Sequence, residues 1–171
     1  MERSYGKSVT GGHMAETYLA IMLQSLKKKE KVLDEIIRLN DLQKDQLTDQ
    51  TRSVDEFDKT VEDKAACIQQ LEQLDSGFEK LYAEVAAELE ADKEKYADLI
   101  RQLQDRIRIV TDKSVMIQAQ EARNKDFMMQ KFTTVKQQAK GVRANSKAIT
   151  GYYKTMKQSM YEDMHMLDGK R

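Results

Sequence analysis

From Tyr96 to Val142 one set of positions returns at alternating steps of four and three residues without a slip. The set is Tyr96, Ile100, Leu103, Ile107, Val110, Ser114, Ile117, Glu121, Asn124, Met128, Lys131, Val135, Gln138 and Val142. This spacing keeps one seam of an α-helix facing a partner helix. A single helix over the whole stretch would be roughly 70 Å long at about 1.5 Å per residue. Such a rod cannot bury its stripe against itself, so partner helices are required.

The seam is aliphatic through Val110, carries Ser114, Glu121 and Asn124 at inward positions, and turns apolar again through Met128, Phe132, Val135, Ala139 and Val142. Polar residues at seam positions weaken packing but fix register and oligomer state, so Ser114, Glu121 and Asn124 are read as register-fixing residues. The chain contains no proline and few glycines, and about a third of it is charged, a profile of long amphipathic helices rather than of sheets. The fold class read from these features is all-α. It is an elongated antiparallel helical hairpin or three-helix coiled-coil bundle over residues 14–144, with a short C-terminal amphipathic helix in 145–171.

Residues 1–13 show no helical period and end in Gly11-Gly12-His13, which reads as a disordered leader, native, left from expression, or included by taking Met1 rather than Met14 as the start. From Met14 the stripe Leu19, Met22, Leu26, Leu33, Ile36, Asn40 and Leu47 marks a first helix ending near Asp49, with Lys29 and Gln43 falling on the stripe. Ser53 followed by Glu56 has the spacing of a capping box opening a second helix. Its stripe, Val54, Phe57, Val61, Ala65, Ile68, Leu71 and Leu74, continues past Asp75-Ser76-Gly77 into Phe78, Leu81, Val85 and Leu89. A break or kink is expected at Ser76-Gly77. A connection near Glu90 to Glu94 leads into the long helix. Residues 51–100 hold 14 Asp and Glu against 6 Lys and Arg, whereas 101–147 hold 4 against 11. Folded back beside each other the two blocks would be complementary, which favours an intramolecular antiparallel hairpin.

In the last segment Tyr153, Met156, Met160, Met164 and Leu167 recur at helical steps, so the apolar face of this short element is mostly methionine. Methionine is flexible and polarisable and suits surfaces that repack against different apolar partners. The pattern serves equally for a helix docked on its own bundle.

Catalytic chemistry is missing. The two histidines, His13 and His165, have no metal-ligand spacing around them, and no cofactor is expected. Gly6-Lys7-Ser8 lacks the glycine and the strand that a phosphate loop needs. Cys67 is the single cysteine, which rules out a disulfide within the chain and favours a reducing compartment. No apolar run is long enough to span a bilayer. The basic residues of 101–147 are spread around the helix without interleaved aromatics, so specific nucleic-acid binding is not expected. The chain reads as a soluble, cytoplasmic protein that is not an enzyme.

The stretch Thr111 to Lys125 (TDKSVMIQAQEARNK) resembles the FlgN-type flagellar export chaperones, in the form found in flagellated Gram-positive bacteria. Phe57 to Lys64 (FDKTVEDK) and Gln70 to Phe78 (QLEQLDSGF) are similar to the second helix of that family. The similarity runs roughly from Leu19 to Asn124, and the tail after Asn145 departs from the family's shorter tails. The resemblance implies a helical chaperone of flagellar type III secretion. Such a chaperone binds the helical termini of hook–filament junction proteins, prevents their premature assembly and delivers them to the export gate. It places client binding toward the C-terminal part, here Met128, Phe132, Val135, Ala139, Val142, Tyr153, Met156, Met160 and Met164. Tyr152 and Tyr153 are the candidates for export-gate docking. Two alternatives stay open: a chaperone of the filament cap, from a related family, and a structural coiled-coil protein whose C-terminal element closes its own bundle.

Overall fold

The computed structural model describes residues 6–131, with side chains described from Met14 onward. Helix α1 spans Gly6–Thr48, α2 spans Val54–Ala91 and α3 spans Ala97–Lys131, and the described residues contain no strand. The chain runs up, down and up. Side-chain bonds from α1 descend along α2, Lys29 to Asp75, Gln43 to Lys64 and Gln46 to Thr60, so those two helices are antiparallel. They ascend along α3, Glu30 to Arg106, Asn40 to Gln120 and Gln46 to Lys131, so α3 runs parallel to α1. Helix α1 packs against both others, while the Cα atoms of α2 and α3 stay more than 8 Å apart.

The core lies along α1 in three clusters. At the end holding the α2–α3 turn, Leu19, Met22 and Leu26 meet Phe78, Val85, Leu89, Tyr96, Leu103 and Ile107. In the middle, Leu33, Ile36 and Leu39 meet Cys67, Leu71, Val110 and Ile117. At the end holding the α1–α2 turn, Leu47 meets Phe57, Val61 and Met128. Burying one such side chain is worth about 1.5–3 kcal/mol relative to exposure, so the stripes rather than intrinsic propensity hold helices of this length together. Every seam position from Leu103 to Met128 is buried, as the heptad spacing requires.

Several local expectations are corrected. Helix α1 begins at Gly6, so helical backbone extends ahead of Met14; glycine lowers helix propensity by about 1 kcal/mol without forbidding helical dihedrals. Helix α2 runs unbroken through Gly77. The apolar face on both sides of the glycine packs continuously on α1, and this outweighs one weak residue. Ser53 occupies the N-cap with φ −76° and ψ 154°, yet its side chain makes no capping bond. Glu56 instead lies 4.0 Å from Arg52. The α1–α2 link is held by Asp49, whose Oδ1 accepts from the Thr51 amide at 2.9 Å and the Thr51 hydroxyl at 2.6 Å; these bonds hold the Asp49 carboxyl below the usual carboxylate range.

The charge blocks are also matched differently than expected. Basic side chains of α3 turn to carboxylates of α1: Arg106 to Glu30 at 2.9 Å, Arg123 to Asp41 at 3.5 Å, and Lys113 to Asp34. An ion pair does join α2 to α3, but with reversed signs, Lys64 from the acidic helix and Glu121 from the basic one. The physical reason is position: α1 lies closer to α3 than α2 does. Of the expected 70 Å rod, α3 accounts for the part through Lys131, and the part from Phe132 to Val142 lies outside the described residues.

Candidate functional site

Two features of the bundle bear on function: a polar layer buried near the α1–α2 turn, and the end of α3 where that turn is gripped.

The polar layer is built by three helices. Asn124 donates from Nδ2 to the Asn40 carbonyl at 2.8 Å, and Asn40 Nδ2 donates to Gln120 Oε1 at 3.1 Å. Lys64 Nζ donates to Gln43 Oε1 at 3.0 Å and pairs with Glu121, at side-chain exposures of 3% and 6%. One turn further along, the Thr60 hydroxyl donates to Gln46 Oε1 at 2.7 Å. Burial pushes the Lys64 ammonium below its ordinary pKa, against the pull of Glu121. Lys29 is lowered in the same way by burial, against Asp75. The Cys67 thiol sits beside this layer and is pushed up, first by burial and then by the negative charges of Glu35 and Asp63. A thiol so placed is a poor nucleophile.

Of the three residues expected to fix register, Glu121 and Asn124 make bonds that cross to other helices. Ser114 turns its hydroxyl back onto the Val110 carbonyl of its own helix at 2.7 Å. Lys64 was not singled out in the sequence although a signal exists: it falls on the α2 stripe Phe57, Val61, Lys64, Ile68 and Leu71, at the spacing of a core position. A lysine on one seam and a glutamate on another are an interpretable pair.

At the end of α3, Lys131 Nζ donates to the carbonyls of Gln46 at 2.6 Å, Asp49 at 3.0 Å and Arg52 at 3.3 Å. It therefore satisfies one open carbonyl in the last turn of α1 and two in the link that follows, and places positive charge at the negative end of that helix dipole. A half-open depression of about 520 Å³ lies beside it, lined by Leu47, Thr48, Gln50, Phe127, Gln130 and Lys131. Met129 stands exposed at the same end.

The structure places one of the expected client-binding residues, Met128, inside the bundle. It is 3% exposed and packs with Leu47, Phe57 and Val61, so it serves the protein's own core rather than an outside helix. Phe132, Val135, Ala139, Val142, Tyr152, Tyr153, Met156, Met160 and Met164 lie outside the described residues. Apolar exposure on α3 instead includes Val115 and Met116, within the stretch that carries the family resemblance.

The family model of the FlgN protein matches residues 14–160. The chain belongs to the FlgN family. Members of this family are flagellar export chaperones and not a family of enzymes, and the long helical bundle agrees with that class. No curated protein and no solved structure matches the chain. Among the described residues, no cluster of His, Cys, Asp and Glu could hold a metal ion, and no helix is long and apolar enough to cross a membrane.

Proposed function

We propose that this FlgN-family chain is a flagellar export chaperone for hook–filament junction proteins. It covers their helical termini until they are delivered to the export gate. The observation that carries the reading is the family match over residues 14–160, which includes most of the segment following Lys131. A client helix that assembles through an apolar stripe is kept from doing so when another stripe covers it, the helix-in-groove mode. Phe132, Val135, Ala139, Val142, Tyr153, Met156, Met160 and Met164 supply that substitute stripe. Tyr152 and Tyr153 serve docking at the gate. Half-buried Phe127, exposed Met129 and the depression beside Lys131 support this direction, because they leave apolar surface where the segment begins.

Glu121 and Asn124 act in this reading as register pins. Their bonds to Lys64 and to the Asn40 carbonyl are satisfied only when the three helices are in step. The test of client binding is co-purification with hook–filament junction proteins. Met156→Asp with Met160→Asp should abolish capture while the α1 core amides keep their protection from hydrogen exchange, and undiminished capture would overturn the placement of the client surface.

A further inference from the structure

The ion pairs described above leave the negative charge of α2 without an answer from α3. Helix α2 carries eleven carboxylates against three lysines, and one of those lysines, Lys64, is buried against Glu121. Arg106, Lys113 and Arg123 of α3 turn away from α2 toward α1. Because the Cα atoms of the two helices also stay more than 8 Å apart, the side of the bundle opposite α1 is a groove between α3 and a helix rich in carboxylates, of which Glu90 lies on the groove wall. Near the α2–α3 turn the groove deepens into a half-open, mainly apolar depression of about 270 Å³, lined by Tyr82, Ala86, Ala87, Leu89, Glu90, Lys93 and Ile100.

We infer that this groove is the seat of the chain's own residues 132–171, which would complete an up-down-up-down four-helix arrangement. The first argument is charge. Between Phe132 and Met160 the sequence holds six Lys and Arg and no Asp or Glu, the complement of α2. The second is reach and starting point. The segment leaves from Lys131, and Lys131 is fastened to the α1–α2 turn at the far end of the groove from the depression. A helix returning antiparallel to α3 covers about 48 Å between residues 132 and 164, and α3 covers about 47 Å between Ile100 and Lys131. Met160 and Met164 therefore come level with Ile100, at the apolar depression. The third is side-chain type, since a methionine stripe fills an irregular apolar gap between splayed helices without demanding one shape. This inference concerns the same stripe as the client-binding reading but stands without it: in the free protein the stripe is held by the bundle, and a client has to displace it.

The test uses the full chain without any client. In a Cys67→Ser background, Ala86→Cys is combined with Met160→Cys or with Met164→Cys. The control combines Ile21→Cys, exposed on α1 at the same height, with each of the same two substitutions. Under mild oxidation at low protein concentration, at least one Ala86 pair is expected to form an intramolecular disulfide several-fold faster than either control pair. Hydrogen exchange at residues 79–90 should accelerate at least tenfold in the Met156→Asp, Met160→Asp variant while the α1 core amides stay protected. Equal rates for Ala86 and Ile21 pairs, or disulfides only between two chains, would overturn the proposal, and so would unchanged exchange at 79–90.

Discussion

Lys64 of α2 and Glu121 of α3 form an ion pair in the interior, across two helices whose Cα atoms stay more than 8 Å apart. Two long side chains thus span a separation that the backbones do not close. A buried pair of this kind is weak evidence for net stability, because desolvation offsets the attraction, yet removing one partner leaves an uncompensated charge inside. Lys64→Met is therefore expected to destabilise the bundle by about 3–5 kcal/mol. The double variant Lys64→Met, Glu121→Leu should recover most of that loss, held back chiefly by the bond from Lys64 to Gln43. Urea unfolding of the two variants checks this. A double variant no better than the single one would mean that the pair is not the cause.

The lowered pKa of Lys64 sets a direction for the pH dependence. Below its folded-state pKa, Lys64 is protonated in both folded and unfolded chains, and the burial penalty is present in full. Between that value and its ordinary value of 10.5 the unfolded chain binds more protons, so the contribution of Lys64 to stability rises with pH. Lys29 shares this direction and is common to both proteins in the comparison. The stability of the wild type relative to the Lys64→Met, Glu121→Leu variant should therefore increase as pH is raised toward 10.5. Paired urea melts at a series of alkaline pH values measure it, and a flat or falling difference contradicts the assignment.

Gly77 is helical, and a Cβ built there meets nothing within 4 Å. Gly77→Ala should then gain up to about 1 kcal/mol from helix propensity alone. For a chain of this size that corresponds to a rise in Tm of about 2–4 °C. A fall in Tm would show that Gly77 is kept for a contact or a bend.

How much of this was readable in advance depended on whether one helix or several decide a feature. The α3 seam from Leu103 to Met128 is a property of one helix, and its spacing alone placed those residues inside. Partners are a property of three helices. Spacing put Asn124 inward but could not say that it donates to the Asn40 carbonyl rather than to another side chain. Block charge counts misled because they ignore which neighbour is nearer; Arg106 and Lys113 met α1 carboxylates although α2 carries more of them. Met128 looked like the start of an outward stripe because its seam continues into Phe132 and Val135. Phe57 and Val61, brought back by the α1–α2 turn, enclose it.

Lys131 ties that turn to the start of the proposed client-binding segment, and its loss should be felt on both sides. Its ammonium serves three carbonyls, from Gln46 in the last turn of α1 to Arg52 in the link. Bonds from a charged donor are worth about 1.5–3 kcal/mol, and the partial exposure of this site places the expected cost of Lys131→Met at the lower end, about 1–2 kcal/mol. Lys131→Arg retains the charge and several donors and should restore most of the difference. Because the defect is local, amides of residues 46–54 should exchange faster while those around Leu33 and Ile117 keep their protection. Uniform acceleration across all three helices would instead make Lys131 part of the global stability of the bundle. Unchanged exchange at 46–54 would mean that the turn holds its shape through Asp49 and Thr51 without help from α3.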